Sequence, residues 1–264
     1  MTNDERSRAS RRKWFAAAAG IVVISLTACQ QSPTQPVDNR HLPPASDVGM
    51  TSSPATTVAT AVGQTCTNAW RNHGHTTQRE AKAFLKECLA AQGVEGESFD
   101  RTRVLALLER LIPASSELTS VVPIDIATFC PDYVRQDTEG RAGFWRGLLL
   151  AMVEPESGFQ TTTAYWEEGG LQQFSIGLLQ LSYTDARSYA CDFTNEADIV
   201  DPARNLDCGV RIMTSLVGKD RSIGTRDEGR WLGGARYWSV LRNTSDARAD
   251  IVRTTSNLPM CLAG

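Results

Sequence analysis

The 264-residue sequence predicts a mainly α fold of the α+β kind, a helical bundle with one small β or loop excursion. Three observations predict it. Apolar residues recur at helical spacing in successive segments, capping residues stand where those segments begin, and a Thr-, Gly- and aromatic-rich stretch at residues 159–174 breaks the pattern. The chain has no internal repeat.

Residues 1–28 read as a targeting segment. Arg6, Arg8, Arg11, Arg12 and Lys13 precede an apolar run over residues 14–26, which is short for a membrane span. Leu26-Thr27-Ala28-Cys29 resembles the lipobox of bacterial lipoproteins, which implies cleavage before Cys29 and acyl chains on that cysteine. Ser10-Arg11-Arg12-Lys13-Trp14-Phe15 is similar to a twin-arginine signal, leaving two export routes open. Residues 29–63 are rich in Pro, Ser, Thr, Gln and Ala and read as a flexible tether, too poor in large apolar groups to offset ordering entropy. These features predict a cell-envelope location on a lipid anchor, the outer membrane being favoured by Gln30 if the source is Gram-negative.

Residues 64–120 are expected to form a helical accessory region packed on a core domain at 121–264. Thr77-Gln78-Arg79-Glu80 is a capping box, followed by Ala81, Phe84, Leu85, Cys88 and Leu89 on one face. Asp100 caps a second helix that carries Val104, Leu107, Leu108 and Leu111 and stops before Pro113. Residues 140–154 are apolar all round and predict a central buried helix. Residues 159–174 read as either a long loop or a small β-hairpin. Asp201-Pro202 starts a further helix as N-cap and N1 residue. A last helix is expected over residues 227–242, with Trp231, Tyr237, Trp238 and Leu241.

Of seven cysteines, Cys29 is taken by the lipobox, and the remaining six are an even set, as disulfides require. Locality suggests Cys66–Cys88, Cys191–Cys208 and Cys130–Cys261 among the 15 connectivities possible. No CxxC or Cys/His cluster suggests zinc, so neither metal nor cofactor is expected. Without residues 1–28 the chain carries 22 basic against 28 acidic residues, which argues against a nucleic-acid partner.

The chemistry is concentrated between Glu156 and Gln180. Glu156-Ser157-Gly158-Phe159 resembles the E-S-x-F signature of the soluble lytic transglycosylase-like domain, a lysozyme-like fold. Ser175-Ile176-Gly177-Leu178-Leu179-Gln180 is similar to its S-x-G-L-M-Q block, with Leu179 for Met, and Asn205-Leu206-Asp207-Cys208-Gly209 to its N-x-x-x-G block. Ala235-Arg236-Tyr237 matches the fourth block, A-x-Y-N-x-G, only in part, because Trp238 and Val240 stand where Asn and Gly are expected. The blocks come in the family's order. The resemblance implies a substrate cleft and cleavage of the glycan strands of peptidoglycan, between N-acetylmuramic acid and N-acetylglucosamine.

Such cleavage needs a carboxylic acid to protonate the leaving oxygen, hence a carboxyl whose pKa desolvation raises. Glu156, at the mouth of an apolar helix, is the candidate, with Pro155, which lacks an N–H, disturbing the helix just before it in a way that would turn the carboxyl outward into a cleft. Glu154 is the rival. In the family one carboxylate suffices, since the muramyl 6-hydroxyl attacks C1 and closes a 1,6-anhydro ring. Ser175, Gln180, Tyr237, Tyr165 and Trp166 are the candidate substrate contacts. Glu167, Glu168 or Asp185 would supply a second carboxylate for a lysozyme-type hydrolase. The altered fourth block leaves a third reading, a non-catalytic peptidoglycan-binding envelope lipoprotein.

Overall fold

A computed structural model describes residues 65–72 and 77–262, without the side chains of residues 185 and 186. Residues 1–28, read as a targeting segment, Cys29, expected to carry the lipid anchor, and residues 29–63, read as a tether, lie outside the described residues.

The chain begins with α1 (Cys66–Arg71) and α2 (Gln78–Ala91). Thr77 caps the start of α2, its Oγ1 accepting from Glu80 N at 3.3 Å, while Glu80 Oε2 accepts from the Thr77 hydroxyl at 2.7 Å rather than from the backbone N–H a full capping box would use. α3 (Arg101–Leu111) is capped by Asp100, which accepts from Arg103 N at 2.8 Å. Two single turns follow, α4 (Glu117–Ser120) and α5 (Ile126–Phe129), before the central helix α6 (Thr138–Ser157). Helix α6 is buried along most of its length and is lined by α3, α4 and the C-terminal helix.

After α6 comes a three-stranded antiparallel sheet in the order β1 (Ala164–Glu167), β2 (Gln173–Ile176), β3 (Leu181–Ser182). The excursion is therefore a hairpin extended by a third short strand. Then follow α7 (Tyr183–Ala186), α8 (Glu196–Val200) and the long α9 (Pro202–Asp220), whose cap, Asp201, accepts from Arg204 N at 2.8 Å. The last elements are the two-residue strands β4 (Arg226–Asp227) and β5 (Arg230–Trp231), and α10 (Asp246–Ser256).

The helix expected over residues 227–242 does not form. That segment is the β4–β5 hairpin followed by 3-10 turns at Gly233–Arg236 and Ser239–Leu241. Gly233 has φ +57°, and a Cβ there would run into the Ser222 carbonyl, so backbone packs on backbone where a helix would need side chains. Side chains from elsewhere fix the preceding loop: the Asp125 carboxylate accepts from Ile223 N at 2.8 Å and Gly224 N at 2.7 Å, and Asp220 accepts from Gly233 N at 2.8 Å.

Residues 65–120 share the core of the rest. One cluster of buried side chains runs from Trp70, Leu85 and Leu108 through Phe144, Trp145 and Leu149 to Leu206, Met213 and Ile251. A fully buried carboxylate, Glu196, reaches from α8 to accept the backbone N–H groups of Cys66 at 3.0 Å and Thr67 at 2.8 Å. Disulfides join Cys66 to Cys88, Cys130 to Cys261 and Cys191 to Cys208. The fold is mainly α with a small sheet, of the α+β lysozyme-like class.

Candidate active site

Glu156 lies in the last turn of α6 and is 6 % exposed. Pro155 does not break the helix ahead of it. One turn from the end, its missing N–H forfeits a single bond, and the helix closes at Gly158 (φ +60°), whose N–H donates to Glu154 O at 2.9 Å. The Glu156 carboxyl is thus buried rather than turned outward. Glu154 occupies another face, solvent-exposed and paired with Arg101 at 3.1 Å. Beyond the cap, Phe159 holds φ +62° and its carbonyl accepts Phe99 N–H at 2.8 Å, so the segment before α3 clasps the chain just after Glu156.

Strand alternation sorts the candidate contacts onto two faces. Ala164, Trp166, Phe174 and Ile176 face the core, where the Trp166 ring packs 4.8 Å from Phe174 and 6.2 Å from Trp70. Trp166 is therefore a core side chain and not a sugar-stacking one. Tyr165 and Glu167 leave on the opposite face. Tyr165 pairs across the sheet with Ser175, and Ser175 with Ser182. The Ser175 hydroxyl donates to Glu167 Oε1 at 2.9 Å. Glu168 is exposed at the strand end, and the side chain of Asp185 lies outside the described set.

The turn between β2 and β3 is held from both sides. Leu179 N donates to Asn205 Oδ1 at 2.9 Å, while Asn205 Nδ2 donates to the carbonyls of Ile176 at 3.1 Å and Ile199 at 2.9 Å. The carbonyl of Leu179 accepts the Trp238 indole N–H at 2.9 Å. Gly177 (φ +82°) admits this clamp, since a Cβ there would collide with Asn205 Nδ2. Trp238, out of pattern in the fourth block, thus has a definite role on the second. Gln180 is buried, and its amide donates to Thr163 O at 2.8 Å and Gly177 O at 3.0 Å. Thr163 in turn donates its hydroxyl to Ser157 O at 2.8 Å. Gln180 thereby ties the turn to the segment following Glu156, and its amide nitrogen is engaged by backbone. The Tyr237 hydroxyl accepts Ser182 N–H at 3.4 Å, at the sheet's third strand.

Arg242 was not among the residues singled out from the sequence. It is half-buried just after the Ser239–Leu241 turn, which packs against α6. Burial pushes the pKa of its guanidinium below the ordinary value, while the charge of Glu156 draws it back up. An arginine directly after the apolar pair Val240-Leu241 was the available signal. Hydrogen bonds through Thr163 tie the Gly177–Gln180 turn to Ser157, next to Glu156, Tyr237 is tied to the third strand behind Ser175, and Arg242 lies within reach of the charge of Glu156. Among the described residues no three His, Cys, Asp or Glu side chains group as metal ligands.

No family model and no curated protein matches the chain. Among solved structures, wild-type DslA (Bd0314) aligns with a TM-score of 0.55 at 37 % identity, over 61 % of this chain and 90 % of that one. Two variants of DslA, each with a glutamate replaced by glutamine, align equally well at 37 % and 36 % identity. The two replaced glutamates stand eleven positions apart in DslA. Glu156 and Glu167 have that separation, and no other pair of glutamates in the present sequence does.

Proposed function

The chain belongs to the DslA family, and from that premise we propose that it cleaves the β-1,4 bond between N-acetylmuramic acid and N-acetylglucosamine in peptidoglycan, with Glu156 as the acid. The observation that carries this reading is the buried carboxyl of Glu156 at the end of a buried helix in a lysozyme-like fold. Glu156 gives its proton to the leaving O4 as the C1–O4 bond breaks, and positive charge develops at C1 and the ring oxygen.

C1 then has two fates, and the number of carboxylates separates them. With Glu167 as the second carboxylate, water adds to C1 and the product keeps a reducing end, as in lysozyme. The Ser175–Glu167 hydrogen bond and the eleven-residue spacing shared with the DslA variants favour this hydrolytic course. With Glu156 alone, the muramyl 6-hydroxyl attacks C1, returns its proton to Glu156 and leaves a 1,6-anhydro end. The order of the four sequence blocks favours this transglycosylase course.

Incubation of the protein with purified sacculi and mass spectrometry of the soluble products decides between them. Reducing ends, lost on Glu156→Gln and reduced about a hundredfold or more on Glu167→Gln, are the expected result. Anhydro ends that survive Glu167→Gln would establish the transglycosylase. Binding without released fragments would leave only a wall-binding role. The anchor reading adds Cys29, and fatty-acid labelling that persists in Cys29→Ser would refute it.

A further inference from the structure

Arg242, Trp231 and Arg226 form a cationic and aromatic group to which bond cleavage itself assigns no task. The Nε of Arg242 donates to Ala235 O at 2.9 Å and one of its terminal nitrogens to Arg236 O at 3.4 Å. Its guanidinium carbon lies 5.7 Å from the centre of the Trp231 ring, and that of Arg226 lies 5.3 Å from the same ring. The Arg226 Nε donates to Gly229 O at 3.1 Å. Backbone carbonyls and an indole fix the direction of these groups but do not neutralise Arg242. The charge of Glu156 acts on Arg242, but among the described residues no carboxylate stands in ion-pair contact with it, whereas nearby Arg236 is paired with Asp220 at 3.3 Å and Arg230 with Glu228 at 3.9 Å.

A half-buried guanidinium that is held in place and not ion-paired is suited to an incoming planar anion, which it binds through two parallel N–H groups. Its position beside the turn that packs on α6 sets it on the flank of the active site. Near its cleaved bond the glycan offers one anion chemistry, a carboxylate on the muramyl unit. We infer that Arg242, with Arg226 on the same Trp231 ring, forms a subsite for a carboxylate borne by the muramyl residue of the strand. This inference rests on the glycan-cleaving reading for the identity of the ligand. Two sources share the chemistry: the free lactyl group of a strand stripped of peptide, and the carboxylates of an attached peptide stem. A neutral N-acetylglucosamine oligomer has neither.

The test measures binding apart from turnover. In the intact, oxidised protein carrying Glu156→Gln, Kd is measured for stem-bearing strands, peptide-stripped strands and the neutral oligomer, with and without Arg242→Gln. The expected result is tighter binding of a carboxylate-bearing strand than of the neutral oligomer. Arg242→Gln should reduce that preference about tenfold, and added salt should weaken it. Whichever of the two strands shows the preference identifies the source. Arg242→Lys, which keeps the charge without the planar fork, should retain part of it and serves if the glutamine variant does not fold. A preference left unchanged by both Arg242→Gln and Trp231→Leu would overturn the subsite. Wild-type protein that cleaves none of the three, while the Arg242-dependent preference persists, would refute the enzyme reading and leave the subsite standing.

Discussion

In the strand Ala164–Glu167, neighbouring side chains leave on opposite faces, so Tyr165 and Trp166 have unlike surroundings despite their adjacency. Trp166 meets Trp70 and Phe174 in the core, and its own backbone is clasped by the Gln78 side chain, which donates to Trp166 O at 2.6 Å and accepts from Trp166 N at 3.0 Å. Tyr165 shares its face with Ser175 and Glu167. Trp166→Ala should therefore cost about 3–5 kcal/mol of stability, read by chemical denaturation. Tyr165→Ala should change stability by less than about 1 kcal/mol and instead raise KM several-fold on glycan. A reversal of those two outcomes would mean that the faces have been assigned wrongly. Trp145 makes the same point deeper in the core, where its indole donates to Tyr133 Oη at 2.9 Å and that phenol, its pKa raised by burial, donates on to Val121 O at 3.0 Å.

Whole elements depend on how far away their determinants lie. Gly233→Ala should destabilise the protein by at least about 1–2 kcal/mol from backbone strain alone, before the clash with the Ser222 carbonyl is counted. Because Tyr237 and Arg242 hang from the same loop, activity should fall further than stability, which parallel denaturation and turnover measurements would detect. That loop was also the least legible part of the sequence. The spacing of Trp231, Tyr237, Trp238 and Leu241 mimics a helix, and what overrides it is Asp125, nearly a hundred residues away, accepting the N–H groups of Ile223 and Gly224. The caps at Thr77, Asp100 and Asp201 were legible because cap and helix are contiguous. Helix α10 is rich in charged and polar residues, with Ile251 its main buried apolar side chain, and gave no periodic signal. In the site, Glu156 and Ser175 stand out by motif, but Gln180 does not disclose from sequence that its amide is engaged by backbone, nor Trp238 that it grips Leu179.

At the scale of the molecule, region 65–120 behaves as part of one core, with α3 and α4 against α6 and α2 against β1. Cys130, ahead of the central helix, and Cys261, beyond the last one, are joined across a separation of 131 residues that encloses Glu156, Glu167, the clamped turn and Arg242. By loop length, opening that bridge should cost about 4–5 kcal/mol, measurable as a lowered midpoint for a Cys130→Ala/Cys261→Ala variant. The hairpin tip at Gly169-Gly170-Leu171 is exposed and offers proteases an accessible site. A cut there would divide the chain between Glu156 and Ser175 without setting either fragment loose. Electrophoresis should show one band for the nicked protein and two after reduction, so the Cys130–Cys261 bond gives the molecule tolerance to breakage at this hairpin.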